Sequence, residues 1–251
     1  MYWLGLGTQI TSITLLICIL LLMWRRSLVR TFPFFFGYVL FDLMRTIMGS
    51  VTLSRPHVYF YVYWITAPMD TILAILAVHE SFRRVFRVFY LLRWFRFTFP
   101  GGIAIALLCS ALIACLSPPR QVSMAGAAII SAMTTAQYVI LTISLLFFAL
   151  VLLLPVRWGI HEYHIVMGFG LSSLATAFAA AIRSVFVTRF IFLSTSLPGI
   201  VYVLVLLIWL TAVARPLPPE VVFVGEGLSP EEVVRILRED LAMIRSMFRR
   251  R

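Results

Sequence analysis

Seven apolar stretches separated by short arginine-bearing segments dominate this chain and leave it few possible folds. They cover residues 7–24, 33–50, 58–79, 101–116, 125–154, 160–186 and 191–214. Most reach or exceed the roughly 18 apolar residues that read as a bilayer span. Charged residues make up 12% of the 251-residue chain, about half the quarter usual in a soluble domain. The expected fold is therefore all-α: a polytopic bundle of seven transmembrane helices. The N-terminal stretch does not read as a signal peptide, because its charges follow the apolar run and no small-residue cleavage site is clear.

The arginines orient the bundle. Arg25, Arg26 and Arg30 follow the first stretch, Arg83, Arg84, Arg87, Arg93 and Arg96 follow the third, and Arg157 follows the fifth. The other side holds only Arg55, Arg120, and the pair Arg183 and Arg189. The positive-inside rule then predicts an N-terminus outside and a C-terminal tail in the cytoplasm. The expected home is a bacterial cytoplasmic (inner) membrane.

All 21 basic residues are arginine. A GC-rich genome would favour Arg codons, but the missing lysine also has chemical force. A Schiff base to retinal needs a lysine or a free N-terminus, so a retinal pigment is disfavoured. A Walker A loop is excluded for the same reason. No cofactor is predicted. Cys18, Cys109 and Cys115 lie in or beside apolar runs with no CxxC spacing, so they read as small buried hydrophobes.

Two spans carry charges near their middles. Asp42 lies nine residues after Pro33, and Asp70 lies nine residues before His79. The two helices run in opposite directions from one face. At 1.5 Å per residue, both acids would sit about 13–14 Å from it. Arg45 follows Asp42 by one turn on the same side of its helix. If the second and third spans are neighbours, Asp42, Arg45 and Asp70 form one intramembrane cluster. Two carboxylates around one guanidinium leave a formal charge of minus one, which invites a shared proton or another donor. Charges at such depth are expensive and tend to face a bundle interior. The cluster is either a ligand, proton or switch site, or a clamp that fixes helix register.

A second constellation gathers at the cytoplasmic rim: His79 and Glu80 end the third span, and His161, Glu162 and His164 open the sixth. His161 and His164 share a helix face, as a metal pair can. A site would require the third and sixth helices to touch, and HExxH is absent. The simpler expectation is ion pairing with Arg83, Arg84 and Arg157, with no metal bound. Elsewhere, Thr134, Thr135, Gln137, Tyr138 and Thr142 give the fifth helix a polar stripe. Pro68 and Pro198 are expected to kink their helices. The glycines, serines and alanines of 168–181 favour close helix packing.

The loop RVFRVFYLLRWFRF alternates arginines with bulky apolar residues. It reads either as an interfacial helix, with arginines on phosphates and phenylalanines in lipid, or as a continuation of the third helix. Residues 1–215 form the membrane domain, 216–228 a Pro/Gly-rich linker and 229–251 an amphipathic cytoplasmic helix. Ser229, Pro230 and Glu232 supply its start signals. Val234, Leu237, Leu241, Ile244 and Phe248 form an apolar stripe that needs a partner.

The expected partners are membrane lipids, including anionic headgroups contacted by the loop arginines, and a protein engaged through the loop and tail. Nucleic-acid modules are absent, and topology with anionic lipid accounts for the basic charge. Three functional classes fit: a sensor or receptor-like protein acting through a separate cytoplasmic partner, an accessory subunit of a larger membrane complex, and a small transporter or intramembrane enzyme using the buried carboxylates. An enzyme is the less favoured class, because no catalytic signature appears.

Overall fold

The computed structural model describes residues 2–52, 55–87, 89–91, 95–116, 124–154, 159–185, 191–216 and 235. Its helices are α1 (Tyr2–Arg25), α2 (Leu28–Thr31), α3 (Pro33–Thr52), α4 (Pro56–Val85), α5 (Thr98–Leu116), α6 (Met124–Leu153), α7 (Ile160–Val185) and α8 (Ile191–Val213). Two 3-10 turns, Phe89–Leu91 and Phe95–Phe97, lie between α4 and α5. Six helices are long and apolar enough to cross a membrane: those within α1, α3, α4, α6, α7 and α8. The apolar stretch around α5, Phe95–Cys109, is shorter among the described residues.

The helix faces explain how this chain is solvated. Ile10, Leu21, Val51, Ile65, Leu108 and Leu152 all point outward. A surface so apolar around the whole bundle suits lipid rather than water. The chain is a polytopic α-helical membrane protein.

Inside, α3 packs against α1 and α4, α7 against α4, α6 and α8, and α1 against α8. Phe35 and Tyr38 of α3, Phe169 of α7 and Trp209 of α8 form the central layer through edge-on ring contacts, with Phe35 5.2 Å from Trp209. Such edge-to-face pairs match positive ring edges to negative faces. Trp209 fits because position 168 of α7 is glycine: a Cβ there would run into the indole ring. The indole N–H donates to the Ile165 carbonyl at 3.3 Å, so the close approach also satisfies a buried donor.

A second aromatic layer closes the arginine-rich end and corrects one expectation. The third predicted span ends at His79, but α4 continues to Val85. Beyond it the loop folds inward. Phe82, Phe86 and Phe95 are fully buried and surround one another with Phe99 of α5 and Phe147 of α6. These rings therefore do not enter lipid. Protein partners were within reach, and they removed the rings from any solvent. Phe97 remains exposed.

The link from α1 to α3 turns at Ser27, which has φ 55° and ψ 19°. It is the one non-glycine residue with positive φ among those described. The turn sends Leu28 and Phe32 into the core. The predicted tail apart from Arg235, and so Val234, Leu237, Leu241, Ile244 and Phe248, lies outside the described residues, as do Arg93, Arg120, Arg157 and Arg189.

Candidate functional site

Before residue 217 the chain holds only four carboxylates: Asp42, Asp70, Glu80 and Glu162. They form two groups, one at mid-helix and one at the arginine-rich end, and α4 contributes to both.

In the mid-helix group, Arg45 spans two acids. Its guanidinium lies 2.9 Å from Asp70 Oδ2 on α4 and 3.5 Å from Asp42 Oδ1 on its own helix. The longer contact is the i,i+3 pair, where helix geometry already fixes the side chains close together. A third helix joins through Tyr202 of α8, whose hydroxyl donates to Asp42 Oδ2. Asp42 is thus buried with both oxygens engaged. Tyr38, one turn below Asp42, lies close enough to feel the charges of Asp70, Asp42 and Arg45.

Asp70 is less well satisfied. Its Oδ2 pairs with Arg45, but its Oδ1 is buried, and among the described residues no donor reaches it. A carboxylate oxygen without a donor in low dielectric is costly. Thr66, one turn earlier on the same face of α4, directs its own hydroxyl proton to the Val62 carbonyl at 2.8 Å.

Tyr202 is the cluster residue that sequence reasoning missed. The available signal was a phenol near the middle of an otherwise apolar helix. Its pairing with Asp42 depends on how α8 sits against α3, which no spacing in the chain encodes.

The group at the arginine-rich end is a set of paired contacts rather than a ligand sphere. Glu80 Oε2 accepts the backbone N–H groups of Phe34 and Phe35, each at 3.2 Å. These are the second and third residues of α3, so a side chain from α4 caps that helix and places negative charge at its positive end. Arg84, one turn further along α4, reaches Glu162 of α7 at 3.3 Å and donates to the Thr31 carbonyl at 2.9 Å. Its guanidinium also lies 4.7 Å from the centre of the Phe32 ring, a cation–π contact. Phe32 also stacks with His161, which pairs with the Arg215 carbonyl at 3.3 Å.

The histidines accordingly face different neighbours. His79 packs on Phe99, and its Nε2 lies 3.5 Å from the Tyr90 hydroxyl. His164 pairs with the Ile160 carbonyl of its own helix at 2.6 Å. The helices that contain the third and sixth predicted spans, α4 and α7, do pack together, and Arg84 pairs with Glu162 across them. Even so, the described residues contain no group of three or more His, Cys, Asp or Glu placed to hold a metal.

Among the loop arginines, Arg83 and Arg87 are exposed, and Arg96 turns back to the Tyr90 carbonyl at 2.9 Å. The Tyr90 hydroxyl lies outside the spans, and burial raises its pKa above the usual phenol value. The polar stripe of α6, Thr134, Thr135, Gln137, Tyr138 and Thr142, is half-buried. No family model, curated protein or solved structure matches this chain.

Proposed function

We propose that this protein is a sensor or receptor-like membrane protein acting through a separate cytoplasmic partner, with Asp42, Arg45 and Asp70 as its sensing site. The carrying observation is the imbalance at that site. A clamp needs one acid for its base, and Asp42 with Arg45 and Tyr202 already provides a fully engaged set. Asp70 adds a second carboxylate with one oxygen unpartnered among the described residues. Such an arrangement costs stability and favours a site that some second species completes.

An output route also exists. Asp70, Glu80 and Arg84 share α4. A change at Asp70 that shifts this helix would also shift the Glu80 cap on α3 and the Arg84 contacts with Glu162 and Thr31. In this reading all seven apolar helices span the bilayer, the N-terminus lies outside, and the arginine-rich end faces the cytoplasm of a bacterial cell. Arg83, Arg84, Arg87, Arg93 and Arg96, together with Leu237, Leu241, Ile244 and Phe248, then contact lipid headgroups or the partner.

The test is quantitative recovery of partners with wild type and Asp70→Asn from nanodiscs, with folding and protein amount matched. A soluble partner whose recovery changes with Asp70→Asn supports the sensor. An integral membrane protein recovered in equal stoichiometry with both would instead make this chain an accessory subunit.

A further inference from the structure

We infer that the species completing the Asp42–Arg45–Asp70 cluster is a single proton, taken up on Asp70. This rests on the sensing role proposed above and gives its ligand a chemical identity. Three observations converge on it.

Charge comes first. Two carboxylates and one guanidinium leave the group at minus one. Among the described residues, the charges that bear on Asp70 are Arg45 and Asp42, both from α3. The other titratable groups in the cluster are the phenols of Tyr38 and Tyr202, and neither supplies a positive charge. One proton brings the group to neutrality.

Position comes second. Asp42 already pairs with Arg45 and accepts from Tyr202, and Asp70 Oδ2 is held by Arg45. The atom left over is Asp70 Oδ1. Protonation there turns an acceptor without a donor into a hydroxyl that itself donates.

Size comes third. Asp70 Oδ1 is shut off from solvent. A larger cation would have to displace Arg45 or move α3 from α4 to gain several oxygen ligands. A proton needs neither. The chemistry balances as a simple acid–base step: water or hydronium delivers the proton, an O–H bond forms on Asp70, and no bond in the chain breaks.

Infrared difference spectroscopy on the full chain in nanodiscs tests the inference directly, since a protonated carboxyl has its own C=O stretch. Wild type should show one such buried band that titrates with pH and shifts on exchange into D₂O. Asp70→Asn should abolish it. Asp42→Asn should also abolish or strongly weaken it, because the remaining Asp70–Arg45 pair is neutral. Absence of a titrating buried band in wild type would overturn the inference, even if no variant folds. So would a band that persists in Asp70→Asn, or protection of the carboxylate form by added Na⁺. In the same samples, a rim that never changes would remove the sensing role while leaving the proton site intact.

Discussion

At the scale of single residues, the cluster predicts an order of damage that a list of charges would not. Arg45 contacts both acids, so Arg45→Gln strands both and should cost on the order of 3 kcal/mol. Tyr202→Phe removes one donor from buried Asp42 and should cost about 1–3 kcal/mol. Asp70→Asn removes the uncompensated charge and should cost least, and it would raise stability if the wild-type site stays ionised. Thermal unfolding of the three variants in one detergent or nanodisc checks the order. A most damaging Asp70→Asn would show that Asp70 is a clamp member like Asp42.

At the scale of elements, three local devices carry testable consequences. Glu80 caps α3 from a neighbouring helix, so Glu80→Gln should cost about 0.5–2 kcal/mol and raise amide exchange at Phe34 and Phe35. Gly168→Val would push a branched side chain into the Trp209 indole. The expected result is loss of folded protein or an altered Trp209 emission, with Gly168→Ala milder. Ser27→Gly should stabilise by about 1 kcal/mol, because it removes the Cβ penalty of the left-handed turn.

Elements also separate what sequence makes legible from what it does not. Asp42 and Asp70 were matched in depth because helical rise converts residue counts into height. Arg45 followed because one turn returns to the same side. The inward fold of Phe86 and Phe95 was not legible, since alternation of arginine with aromatics describes an interfacial helix equally well. Helix packing decided between them. The same limit hid Tyr202 and assigned Glu80 to a rim cluster instead of a helix cap.

At the scale of the whole molecule, length and hydropathy made the membrane bundle plain. A residue-level pattern cannot reveal which helix contacts which, and that arrangement gives α4 its position between the two polar groups. The proposed topology predicts that a tag before Met1 is reachable on intact cells and one after Arg251 only after lysis. The reverse pattern would place the arginine-rich end outside and invalidate the cytoplasmic output.

The most direct measurement of the central claim is the distance across the arginine-rich end with Asp70 charged and neutral. Spin labels at Arg83→Cys on α4 and Ile160→Cys on α7, both exposed positions, flank the Arg84–Glu162 contact once the native cysteines are replaced. Pulsed dipolar spectroscopy in nanodiscs should give different distance distributions for the wild-type and Asp70→Asn backgrounds. Superimposable distributions from two equally folded proteins would contradict coupling between the buried charge cluster and the rim.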